Sequence, residues 1–147
     1  MRLVLMFALS VAMPAIASAQ AAQGWIADPR SGCRAWDNYP APDDRIQWEG
    51  GCIGGYVEGH GTLQWFSKGE NYETASGDFN KGMLEGHGTV EAKRGHFDGE
   101  FHGNRPNGVG SFRTKDGDVY SGAWSNGCFQ QGNRRMTFYT TATECGF

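Results

Sequence analysis

The sequence has little of what marks several common function classes. Basic residues are few, 13 Lys and Arg against 16 Asp and Glu, for a formal net charge of −3. A protein that grips nucleic acid needs a concentrated basic surface to displace counterions from phosphates. This composition therefore argues against nucleic acid as a partner. The same acidic balance weakens attraction to anionic lipid through charge alone. No phosphate loop, His-Glu-x-x-His or Gly-x-Ser-x-Gly motif occurs in the chain. The local signatures of nucleotide, zinc-protease and serine-hydrolase chemistry are thus missing, and a non-enzymatic protein with no cofactor is expected. No Cys-x-x-Cys pair is present either, which weakens a zinc reading of the cysteines.

Long apolar runs are confined to the N-terminus. Met1-Arg2 precedes an apolar stretch from Leu3 to Met13, and Pro14 breaks it. The run falls short of the roughly 20 residues that a bilayer-spanning helix needs. Ala17-Ser18-Ala19 follows with the small-x-small pattern of a cleavage site. Residues 1–19 are therefore expected to be a signal peptide, with export to the periplasm or the exterior. Ala19-Gln20-Ala21 offers an alternative cut two residues on. What remains is of single-domain length.

Four cysteines lie beyond this segment: Cys33, Cys52, Cys128 and Cys145. An even count in an exported domain reads as disulfides. Four cysteines allow three connectivities. Cys33–Cys52 and Cys128–Cys145 are favoured because each pair lies at one end of the chain. Glycine is the abundant residue, 23 of 147, roughly twice average usage. With 13% aromatics and no collagen-like triplet, the composition suggests short strands joined by tight turns.

The glycines are periodic. From an aromatic or apolar position i, Gly recurs at i+2, a large residue at i+4, Gly or Asn at i+7, and Gly at i+11 and i+13. The copies are Trp48-Gly50-Cys52-Gly55-Gly59-Gly61, Ala75-Gly77-Phe79-Gly82-Gly86-Gly88 and Phe97-Gly99-Phe101-Asn104-Gly108-Gly110. A fourth starts at Tyr120-Gly122-Trp124-Gly127 and then loses the pattern. Asn104 is the non-glycine type that best tolerates left-handed geometry. The first spacing is the longest, and its extra residues around Ser67-Lys68-Gly69-Glu70 are expected to form a protruding loop. The pattern resembles the MORN repeat, most clearly in Phe97 to Gly110 and next in Gly77 to Gly88. Trp48 and Phe97 stand where the repeat has Tyr, Ala75 is small, and Cys52 replaces an aromatic.

The resemblance implies an all-β fold, an elongated single-layer antiparallel β-meander of hairpins. Three full repeats and one partial would occupy 48–127, between an N-terminal cap (20–47) and a C-terminal cap (128–147). Strand alternation places Trp48, Cys52, Phe79, Phe97, Phe101, Tyr120 and Trp124 on one face, joined from the second strands by Leu63, Trp65, Val90 and Phe112. A single layer offers little cover for so many rings. Trp65, Phe66, Phe79, Phe101, Phe112 and Trp124 are therefore the candidate binding residues, most of them also candidates for core. The opposite face carries Glu49, Asp78, Asp98, Glu100 and Ser121. In the third repeat His96, Asp98, Glu100 and His102 form a row in which a metal is conceivable but a solvated face is the default; no metal site is expected. His60 and His87 share one repeat position, which favours a structural turn role over catalysis. The basic residues Lys81, Lys93, Arg94, Arg105, Arg113, Lys115, Arg134 and Arg135 are scattered near expected turns. Arrays resembling this one imply a binding or scaffold module for an unidentified protein partner. A membrane surface or lipid, and a glycan, are the alternatives.

Overall fold

The computed structural model describes residues 24–147; the expected signal peptide lies outside the described residues. Strands β1 (Trp25–Ala27) and β2 (Arg34–Trp36) precede β3 (Asp44–Ile53) and β4 (Tyr56–Ser67). Then follow β5 (Glu70–Asn80), β6 (Met83–Ala92), β7 (Gly95–His102), β8 (Arg105–Thr114), β9 (Val119–Ser125), β10 (Cys128–Gln131) and β11 (Arg134–Thr137). A four-residue helix, α1 (Ala142–Cys145), follows them. All eleven strands join one curled sheet in which β3 to β11 pair in sequence order. Every pairing is antiparallel except a single parallel bridge between Arg34 of β2 and Tyr56 of β4. The all-β meander is what the repeat implied.

Two-residue turns set the hairpins. Both central residues have positive φ at Gly54-Gly55, Lys68-Gly69, Lys81-Gly82, Gly103-Asn104 and Asn126-Gly127. That is the mirror-image turn whose twist matches the flanking strands. Asn104 takes the role inferred from the repeat, at φ 66°. The protruding loop expected at Ser67–Glu70 is instead such a turn. The extra residues lengthen β4 and β5, with a register shift between Trp65 and Phe66.

The glycines at i+2 and i+13 have a separate purpose. Gly61, Gly77, Gly88, Gly99, Gly110 and Gly122 are successive cross-strand partners, a stripe from β4 to β9. A Cβ on Gly110 would fall 2.4 Å from Cζ of Phe97, and one on Gly61 2.4 Å from Cη2 of Trp48. The stripe is a trough in which large rings lie across the strands. Trp48, Leu63, Trp65, Phe79, Val90, Phe97, Phe101, Phe112 and Trp124 are all buried on this inner face. Edge-to-face contacts such as Phe97–Phe101 at 5.0 Å and Phe97–Trp124 at 5.2 Å link them, a geometry that aromatic quadrupoles favour. Cys52 departs from the expected pattern and is exposed, because a register shift between Glu49 and Gly51 breaks the alternation.

The inner face does not lie open. From the N-terminal side, Trp36 donates its N–H to the Gly82 carbonyl at 2.8 Å. Asn104 then clasps two elements: its Nδ2 donates to the Trp36 carbonyl at 3.0 Å, and its Oδ1 accepts from Leu84 N–H at 2.6 Å. From the C-terminal side, Phe138 is buried against Phe97 and Phe112, with ring centroids at 5.9 and 5.0 Å. The two segments meet where the Tyr39 hydroxyl donates to the Glu144 carboxylate at 3.5 Å. The terminal segments therefore do more than close sheet edges. They form a partial second layer, which removes the lack of cover expected of a single sheet.

The disulfides are Cys33–Cys52 and Cys128–Cys145, the pairing favoured from chain position. Each anchors one terminal segment beside the sheet. Asp28 adds a further tie: buried, it accepts from the N–H groups of Arg30 and Trp48 at 2.9 and 3.2 Å. Burial alone would raise its pKa, but these hydrogen bonds together hold the carboxyl below its ordinary value. At the other end Thr141 and Glu144 form a reciprocal capping box at the start of α1. The Thr141 and Thr140 donors stabilise the Glu144 carboxylate and lower its pKa to about 2.

Candidate functional site

Where the terminal segments cross the inner face they leave a groove. Its inner part is a cavity of about 190 Å³ lined by Trp36, Asp37, Trp65, Tyr72, Glu73 and Tyr139, with Asn38, Tyr39, Asn104 and apolar side chains completing the wall. Its outer part, about 300 Å³, adds Lys93, Arg94 and Thr140. Tyr39, Tyr72, Glu73 and Tyr139 line both parts, so the two adjoin. An engineered apolar cavity of about 150 Å³ already accepts benzene, so the inner part has room for a side chain or small ligand.

The residues arrive from four places. Tyr72 and Glu73 lie on β5, in the hairpin lengthened beyond the repeat. Asp37, Asn38 and Tyr39 follow β2, and Tyr139 follows β11. Lys93 and Arg94 form the turn between β6 and β7. Tyr139 holds a left-handed backbone, φ 58°, which is strained for an aromatic residue and is of the kind that clusters at functional sites. Its ring stacks on Phe138 at 4.2 Å. The Tyr39 ring is 54% exposed and stands at the mouth.

Burial sets the electrostatics. Desolvation pushes the Glu73 carboxyl up to about 7; the Tyr139 hydroxyl pulls it down in part, and the negative charge of Asp37 adds to the rise. Burial also raises Asp37, with further repulsion from the neighbouring Asp44. Oδ2 of Asp37 is buried and has no hydrogen-bond partner among the described residues. Tyr139 is pushed well above the ordinary phenol value by burial and by the charge of Glu73. The lining of the inner cavity includes no Lys, Arg or His.

The six aromatic residues read from the sequence as a binding strip fall differently. Trp65, Phe79, Phe101, Phe112 and Trp124 are buried, and Phe66 alone is half-buried. Of the two roles open to them, binding strip or core, the five take the core: the trough of glycines and the covering terminal segments withdraw these rings from solvent. Trp65 and Phe79 still reach the cavity wall; Phe101, Phe112 and Trp124 do not line it. Asp37, Tyr39, Tyr72, Glu73 and Tyr139 escaped sequence reasoning, since none belongs to the periodic positions. The clue was the longer first spacing, which holds Tyr72 and Glu73.

The polar face stays outside, with Glu49, Asp78, Asp98, Glu100 and Ser121 exposed. Its histidines pair across strands: His60 with Asp78, His87 with Asp98 and His102 with Glu85 at 3.0 Å, and His96 with Glu91 at 3.1 Å. The pairing runs from strand to strand, not along the third-repeat row. Among the described residues no group of three His, Cys, Asp or Glu side chains converges as a metal site would need.

Residues 76–92 and 97–119 each match the MORN repeat family model. Those two segments are similar to MORN repeats, which are generally associated with protein or membrane-lipid interaction and are typically non-catalytic. No curated protein matches the chain.

Proposed function

We propose that this chain is a small exported, non-enzymatic binding module that captures a segment of a partner protein in the groove between its repeat sheet and its terminal segments. One observation carries the reading: adjoining cavities of about 190 and 300 Å³ share the wall Tyr39, Tyr72, Glu73 and Tyr139. Ligand sites are concave, mostly apolar and furnished with a few placed polar groups, and this groove fits that description. It presents aromatic rings, a carboxyl and, in its outer part, the cations Lys93 and Arg94. A polypeptide offers the same mixture of apolar, acidic and basic groups. Export is supported by two disulfides that tie both terminal segments, since such bonds persist in oxidising compartments.

Affinity capture from the extracytoplasmic fraction tests the proposal. Tyr39→Ser alters the exposed ring at the groove mouth. Val109→Ser alters an exposed side chain (70%) that does not line the groove. Loss of one protein species with Tyr39→Ser, and retention with Val109→Ser, is the expected outcome. Equal loss from both variants, or recovery of lipid or glycan without protein, counts against the reading.

A further inference from the structure

We propose that the inner cavity recognises an alkylammonium group, in the form of a lysine side chain on the captured segment. The inference rests on the groove being the binding site and names the chemistry it selects. Two observations combine. The cavity wall includes the aromatic residues Trp36, Trp65, Tyr72 and Tyr139, and ring faces attract an organic cation. Two carboxyls, Glu73 and Asp37, share that wall, and none of its lining residues supplies a positive charge. Oδ2 of Asp37 is closed off from the cavity, where the neighbouring Asp44 carboxyl can share a proton with it, so Glu73 is the carboxyl that meets the cation. An incoming ammonium supplies the missing counter-charge, and its alkyl stem suits the apolar wall formed by Leu63, Ala75 and Val90. A divalent metal is a poorer occupant because only two carboxyls share the wall and, among the described residues, no group of three His, Cys, Asp or Glu side chains converges.

The groups facing Glu73 are Tyr72 on its own strand, Asp37 after β2, Tyr139 after β11, and Lys93 and Arg94 across the outer groove, while Asp44 at the start of β3 acts on Tyr72 and Asp37. Its carboxyl titrates near 7 in the unliganded protein, whereas an ammonium prefers it ionised. With about one tenth ionised at pH 6 and nine tenths at pH 8, apparent affinity should rise about tenfold between those values.

The experiment is an NMR titration of the disulfide-intact protein with Nα-acetyl-lysine methylamide, following the indole N–H signals of Trp36 and Trp65. Nα-acetyl-norleucine methylamide serves as the neutral isostere and n-butylammonium chloride as the bare cation. Saturable shifts with the lysine amide and butylammonium, at least tenfold weaker with norleucine and stronger at pH 8 than at pH 6, are expected. Glu73→Gln should weaken the lysine amide at least tenfold and flatten the pH profile; Asp37→Asn should weaken it less. Circular dichroism verifies that both variants fold. Equal binding of lysine and norleucine amides, no saturable shift with any probe, or indifference to Glu73→Gln in a folded variant overturns the cation site. Protein capture through the groove would then still stand on its own test.

Discussion

An alanine at Gly110 tests why the repeat needs its glycines. The φ of Gly110 is not in the left-handed region, so the substitution acts through space alone. The new Cβ would lie 2.4 Å from Cζ of Phe97 and 3.1 Å from both Cε atoms, against roughly 3.5–4.0 Å for comfortable carbon contact. The ring must retreat by more than about 1 Å. It cannot do so freely, because Phe97 is fully buried and meets Phe101, Trp124 and Phe138 with centroids at 5.0, 5.2 and 5.9 Å. Overpacking of a confined core costs about 1–3 kcal/mol, and three surrounding rings place this site near the upper end. At roughly 3 °C per kcal/mol for a chain of this size, thermal unfolding by circular dichroism should shift down on the order of 5–10 °C. Combining Gly110→Ala with Phe97→Leu removes the obstructing ring. The double variant should then be more stable than the sum of single effects by about 1 kcal/mol or more. If Gly110→Ala leaves the transition unchanged, or the two changes simply add, the trough explanation is wrong.

Three further outcomes follow from the same structure. Glu73 has a folded-state pKa raised to about 7 from 4.5, so the native state binds more protons between those values and stability falls as pH rises through them. Urea unfolding should give a protein less stable at pH 8 than at pH 5 by up to roughly 2 kcal/mol after allowance for solvent contact, and Glu73→Gln should remove most of that slope. Reducing both disulfides, with sequence separations of 19 and 17, should cost about 3 kcal/mol each on the loop-entropy estimate, read as a lower urea midpoint. Asn104→Gly keeps the left-handed turn but loses the clasp on Leu84 and Trp36, at about 1–3 kcal/mol; Asn104→Ala should lose more, because alanine also resists φ 66°.

The sequence reveals the repeat because its physics is local and periodic. Phe97, Gly99 and Phe101 follow strand alternation, and the glycines that give space to rings recur with them. The disulfide pairing was legible from position for a similar reason, since each pair joins one end of the array to itself. The groove was not legible. Its makers Trp36, Asp37 and Tyr139 sit outside any period and arrive by chain reversal, which no local pattern encodes. The same covering segments make core of Trp65, Phe79, Phe101, Phe112 and Trp124, which the repeat left as candidates for both core and binding. Bulges beside Gly51 and Phe66 removed Cys52 from its expected face and lengthened a hairpin where a loop was expected. A register shift of this kind inverts the alternation that strand reasoning depends on.

The most direct test of the groove as a protein-binding site is site-specific photocrosslinking in the compartment where the protein resides. A photoreactive phenylalanine analogue at Tyr39, at the groove mouth, is compared with one at Val109, away from it. A discrete protein adduct from position 39, abolished by excess unlabelled wild type and absent from position 109, is the predicted result. Adducts confined to position 109, or none from position 39 in a folded protein, would contradict it.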